Sequence, residues 1–175
     1  MKNINTNIFL VGLMAVGKST VGKYLARELM LEFYDSDRVI EEGAGAAISW
    51  IFDKEGESGF RSREVSAIDT LTRKRGIVLA TWGGVVLREE NRRNLVTRGT
   101  VIYLVSSLNH LVERTKRSTT RPLLRDSNAL EVFEKLQIER GPLYREIADM
   151  EYNAEHTSPK VLARTIARAL FADQS

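Results

Sequence analysis

The chain has no cysteine among its 175 residues, which excludes a disulfide framework and a thiolate metal site. It has no apolar run of membrane-spanning length. The opening "MKNINTNIFLVGLMAVGKST" carries only a short apolar stretch, broken by glycine and lysine. A signal peptide is therefore not expected, and the cytoplasm is the expected compartment. Charge of one sign is also scarce: 26 Lys and Arg stand against 23 Asp and Glu, a net of +3. That balance suits small anionic ligands and gives no argument for nucleic acid, because no concentrated basic patch accompanies it. The densest basic clusters, "RKR" at 73–75 and "RR" at 92–93, read as solvated helix surfaces. No internal repeat and no linker interrupts the sequence. Hydrophobic residues at 43% and charged residues at 28% are ordinary for a globular chain, and one domain over residues 1–175 is the simplest expectation.

What the sequence does have is alternation. "NIFLVGL" (7–13), "LEFYDSD" (31–37), "GIVLAT" (76–81) and "TVIYLV" (100–105) read as short buried strands. Helices are expected over 19–29, 59–76, 88–99, 108–117, roughly 128–149 and 158–171. The last has Ser158 as N-cap and Pro159 in its first turn. Continuous aliphatic strands between helices argue for a parallel sheet covered on both faces. "STTRPLLRDSN" (118–128) reads as a polar loop.

"GLMAVGKST", Gly12 to Thr20, fits G-x-x-x-x-G-K-[ST] and lies between an expected strand and an expected helix. In that setting the backbone of Gly12, Met14, Ala15, Val16 and Gly17 can curl its N–H groups around a phosphate at a helix N-terminus. Lys18 is placed for the β- and γ-phosphates, Ser19 for Mg²⁺, and Thr20 completes the motif. The chain is expected to bind a nucleoside triphosphate.

A GTPase would carry Asn-Lys-x-Asp after a later strand, and none exists here. "DKEG" (53–56) follows the helical-looking "ISWIF" and is set aside. Only "LEFYDSD" delivers carboxylates at a strand end, Asp35 and Asp37. If the chain is still extended there, residues two apart point to one side, above the carboxyl edge of the sheet. One acid can hold a hydrated metal and the other can take up the proton of a substrate hydroxyl. Standing alone, "DSD" reads equally well as a turn with helix-capping acids. Arg61 and Arg63, expected on a helix's first turn, oppose the dipole there and want a reason. Arg121 and Arg140 precede "PLL" and "GPLY". Arginine's planar fork suits carboxylates and phosphates. Together these residues suggest phosphoryl transfer to a small hydroxylated acid.

The set "GLMAVGKST", "YDSD", "GFRSRE", "GG" after the third strand, "RPLL" and "RGPLY" resembles the shikimate kinase family, in order and spacing, from about residue 5 to 170. The resemblance implies a nucleoside-monophosphate-kinase-like α/β fold, a three-layer P-loop architecture with a five-stranded parallel sheet flanked by helices. It implies a shikimate-binding subdomain at about 35–63, a mobile lid at about 117–128, and a monomer. The implied reaction is transfer of the γ-phosphoryl of ATP, with one Mg²⁺, to the 3-hydroxyl of shikimate. Carried over, Lys18 is the P-loop lysine, and Ser19 and Asp35 are the metal residues. Asp37 is the shikimate-binding acid and base, and Arg61 and Arg140 grip the shikimate carboxylate. Arg121 is the lid arginine, catalytic and ATP-binding, Arg114 lies against adenine, and Gly83 and Gly84 approach the acceptor. A related kinase for another polyol acid, such as gluconate, is the alternative.

The departures are few. "AEHTSPK" lacks an arginine that some members lay over adenine, and His110 and His156 match no catalytic position and are expected at the surface. Trp50 reads as either a core aromatic or part of the subdomain. Trp82 stands where the family has the first of three glycines. If that position needs positive φ, tryptophan costs roughly 1–2 kcal/mol there. The chain is then a weakly active variant, and Trp82→Gly is expected to raise turnover.

Overall fold

Three of the apolar runs become the middle of one sheet. The computed structural model describes residues 6–117 and 128–173. Its elements run β1 (Asn7–Val11), α1 (Lys18–Leu29), β2 (Glu32–Asp35), α2 (Ser36–Ala44), α3 (Ile48–Thr72), β3 (Ile77–Ala80), a 3₁₀ turn (Gly83–Leu87), α4 (Glu89–Arg98), β4 (Gly99–Val105), α5 (Leu108–Lys116), α6 (Ala129–Ile147), β5 (Met150–Asn153) and α7 (Pro159–Ala172). All five strands are parallel, in the order β2-β3-β1-β4-β5. Leu10 stands opposite Ala80 on one side and Ile102 on the other.

The aliphatic, non-alternating character of β1, β3 and β4 follows from burial on both faces. Ile8, Phe9, Leu10, Val78, Leu79, Val101 and Ile102 are wholly buried. Helices α1 and α7 pack together on one face, and α4 and α6 cover β4 from the other. This stacking places the loops after β1, β2 and β3 side by side at the carboxyl edge, where open α/β sheets hold their ligands.

Two elements depart from the sequence reading. The helix expected from residue 59 follows a break at Gly56, where φ is 71°, and what the sequence reading lacked is the helical stretch from Ile48 ahead of that break. Arg61 and Arg63 stand in the second turn of the helix that follows this break, just past its first turn. "DSD" leaves the strand at Asp35 and starts a helix at Ser36. Helices α2 and α3 enclose a small hydrophobic cluster of their own, Ile40, Ile48, Ile51 and Phe60, against which Phe52 and Trp82 pack. The expected lid residues 118–127, Arg121 among them, lie outside the described residues.

Candidate active site

The loop between β1 and α1 is the first part of the site. Gly17 caps α1 with φ 104°, a left-handed conformation that glycine adopts freely. Ala15 takes a left-handed φ of 67° with a side chain present, which costs about 1 kcal/mol. Backbone strain of this kind concentrates where a loop is shaped for a ligand. Lys18 is buried, and its ammonium donates to the carbonyls of Gly12 (2.6 Å) and Leu13 (2.9 Å), so it is drawn over the loop.

The second part is the end of β2. The Ser19 hydroxyl donates to the Asp35 carboxylate, joining the P-loop to the acid pair. Asp37 lies in the first turn of α2 and accepts from the Arg38 N–H at 3.0 Å. The i, i+2 argument from extended chain therefore fails. A strand end and a helix start bring the two acids together instead, close enough for a side-chain hydrogen bond. Burial, then the hydrogen bond and negative charge of Asp35, push the Asp37 carboxyl up to about 7.

The third part explains the paired glycines. A Cβ on Gly84 would stand 2.3–2.6 Å from three atoms of the Arg61 guanidinium, and one on Gly83 would stand 3.3 Å from Arg140. Only a residue without a side chain lets the Arg61 fork pass at Gly84. Both arginines are buried, Arg61 at 5% exposure and Arg140 at 7%. Arg61 donates to Glu64 (2.8 Å), which is wholly buried, and its guanidinium lies 5.1 Å from the Phe60 ring centre. The Nε groups of both arginines have no hydrogen-bond partner among the described residues, although Glu57 and Glu139 each stand 3.6 Å away. Buried guanidinium edges of this kind fit a carboxylate. Burial raises the Glu64 carboxyl, a push that Arg61, Arg140 and Arg88 partly offset. The wholly buried Tyr144 donates its hydroxyl to the Gly83 carbonyl, and burial pushes its phenol up.

One cavity of about 480 Å³ joins these parts. It is lined by Met14, Ala15, Gly17, Lys18, Ser19 and Thr20 at one end and by Asp37, Phe52, Arg61, Trp82, Gly83 and Arg140 at the other. Asp35, Thr81 and Arg114 also reach it. A second cavity of about 490 Å³ continues behind the P-loop between α5 and the segment before α7. Val16, Gly17, His110, Arg114, Thr157 and Pro159 are among its walls. Arg114 faces both cavities. Glu155 fastens the second one, accepting from the backbone (3.1 Å) and hydroxyl (2.9 Å) of Ser107, the N-cap of α5.

Most of the residues singled out from the sequence thus converge on one place. Arg63 does not: it pairs with Glu55 at 2.7–2.8 Å across the break in α3. His110 is half-buried in a cavity wall, and His156 is exposed. Trp50 is 48% exposed. Trp82 has φ −66° and ψ 147°, ordinary extended backbone, so the expected strain is absent. Glu64, Tyr144, Phe52 and Ser36 were missed. Of these only Glu64 left a sequence signal, as an acid three residues after Arg61 on a helix.

A family model for shikimate kinase matches residues 14–171. A shikimate kinase from Legionella pneumophila (strain Corby) is 56% identical over 167 residues, 95% of each chain. The chain belongs to the shikimate kinase family. The structure of the shikimate kinase from Acinetobacter baumannii in complex with shikimate superposes with a TM-score of 0.94 at 42% identity, covering 98% of this chain and 96% of the other. A gluconokinase from Sinorhizobium meliloti 1021, with a TM-score of 0.63 at 18% identity over 98% of this chain and 94% of the other, shares the fold alone. Among the described residues no cluster of three or more His, Asp or Glu could hold a metal, and no helix is long and apolar enough to cross a membrane.

Proposed function

We propose that the chain transfers the γ-phosphoryl group of MgATP to the 3-hydroxyl of shikimate, giving shikimate 3-phosphate and ADP on the way to chorismate and the aromatic amino acids. One observation carries the reading: a P-loop, an acid pair and two buried arginines share a single cavity.

Each residue then has a task that its surroundings support. The loop N–H groups and Lys18 bind and orient the phosphates, which is most of what phosphoryl transfer asks of a protein. Ser19 and Asp35, both hard oxygen donors and already hydrogen-bonded to each other, would hold Mg²⁺, which supplies neutralisation of phosphate charge when bound. Arg61 and Arg140 take the carboxylate, orienting the ring so that a hydroxyl faces Asp37. The raised Asp37 carboxyl, at about 7, is matched to accepting a proton near neutral pH. Arg114 and the cavity behind the P-loop receive the base. Residues from about 35 to 63 act as the acceptor-binding subdomain, and Arg121 belongs to the lid by its place in "RPLL". The chain acts as a cytoplasmic monomer with one Mg²⁺ per subunit and no nucleic-acid or membrane partner.

The test is ADP release over a panel of hydroxy acids, with shikimate and gluconate in parallel. Selective turnover of shikimate is the expected result. Equal or greater turnover of gluconate would overturn the assignment.

A further inference from the structure

The acceptor end of the 480 Å³ cavity has walls of two chemical kinds. Arg61, Arg140 and Asp37, with Glu57 and Glu139, form the charged one. The other is apolar, with Phe52 and Trp82 beside Val132 and Leu136 of α6. Trp82 is fixed from two directions. Its backbone N–H donates to the wholly buried Ser36 hydroxyl at 3.0 Å. Its indole meets Phe60 edge-on, with ring centres 5.6 Å apart at 61°, and Phe60 stacks on Phe52 at 4.7 Å. Phe60 also carries the Arg61 guanidinium on its face. The indole is half-buried against this aromatic run and turns its remaining surface to the cavity. It immediately precedes the two glycines past which the arginine forks run.

We propose that Trp82 is a specificity-determining residue of the acceptor site, a flat apolar wall against which the ring carbons of the acid lie. This rests on the reading of the cavity as a shikimate site. With the carboxylate on Arg61 and Arg140, the carbon bearing it is held beside Trp82. In shikimate that carbon belongs to a double bond, so this part of the ring is flat and carries no hydroxyl. Quinate is saturated, puckered and hydroxylated there. A hydroxyl pressed against indole loses water and gains no partner, and apolar walls reject an added hydroxyl by about 10²-fold. Trp82 therefore selects the flat ring over the puckered one.

The experiment compares kcat/KM for shikimate and quinate at saturating MgATP in the wild type, Trp82→Gly and Trp82→Phe. Trp82 emission is titrated with shikimate in a Trp50→Phe background, where Trp82 is the sole tryptophan. Trp82→Gly should raise the KM for shikimate about tenfold and lower the shikimate-to-quinate ratio by about tenfold or more. The KM for ATP should stay within about twofold. Trp82→Phe should keep most of the ratio, and Trp82 emission should shift on adding shikimate. An unmoved ratio in folded Trp82→Gly overturns this proposal alone, as does emission indifferent to saturating shikimate, a readout that survives even if Trp82→Gly fails to fold. A wild type that phosphorylates neither acid overturns the acceptor reading and this proposal with it.

Discussion

Replacing Gly84 by alanine adds one methyl group, and the structure says where that methyl goes. It would stand 2.3 Å from the nearest guanidinium nitrogen of Arg61, so about 1 Å of movement is needed to restore van der Waals contact. A mobile arginine would give way at little cost, but this one is held. It is 5% exposed, bonded to the wholly buried Glu64 at 2.8 Å and set on the Phe60 ring. The backbone at Gly84 is not left-handed, so alanine brings no conformational strain and the fold should survive. The displaced fork misaligns the carboxylate, and a misplacement of about 1 Å can cost about 10²-fold in rate. Steady-state kinetics should show kcat/KM for shikimate down about 10²-fold, with the KM for ATP within about twofold. Gly83→Ala, whose Cβ would lie 3.3 Å from Arg140, should cost only a few-fold by the same assay. A Gly84→Ala enzyme with wild-type shikimate kinetics would refute the claim that the glycine exists to admit Arg61.

Three further outcomes follow from single contacts. Asp37→Asn should abolish most turnover while equilibrium ATP binding persists, and a fall in ATP affinity of more than about tenfold would contradict its assignment to the acceptor. Tyr144→Phe removes the buried hydroxyl that donates to Gly83; it should cost about 1 kcal/mol and lower Tm by about 2–4 °C, measured by calorimetry. The hydrogen bonds from Arg98 and Arg73 hold the Asp69 carboxyl below its usual range. Its stabilisation is therefore present above the ordinary aspartate value of about 3.9 and is lost as pH falls through the depressed one. Denaturant midpoints of Asp69→Asn should accordingly fall less steeply than wild type on the acid side, and parallel acid limbs would count against the pair.

The legible parts of the molecule were those whose chemistry is local. Strands β1, β3 and β4 are buried on both faces, so their sequences are unbroken aliphatic runs. The P-loop announces itself because its spacing is set by one backbone curl around phosphate. Strand β5 escaped because "MEYN" is an edge strand, alternately exposed and half-buried, and it follows a helix without a break residue. Helix α2 escaped because Asp35-Ser36-Asp37 reads as well in extended chain as in a helix start, and only the fold decides. The stretch ahead of Gly56 was noticed only as the helical-looking "ISWIF", and Gly56, at φ 71°, does divide it from the helix that carries Arg61. Arg61 and Arg140 were found by charge and by resemblance, and Glu64 had a local signal three residues after Arg61, but Tyr144 and the close pass at Gly84 depend on residues distant in sequence. Trp82 illustrates the limit most sharply. The sequence gives its size and not its φ, and with φ at −66° the supposed obstruction becomes a cavity wall.

Phosphorus NMR of a reaction containing the protein, MgATP and shikimate tests the central claim most directly. The account predicts a single new phosphomonoester resonance, coupled to the proton on the 3-carbon and growing in step with ADP. ADP accompanied only by inorganic phosphate, or a phosphoester on another hydroxyl, would contradict it.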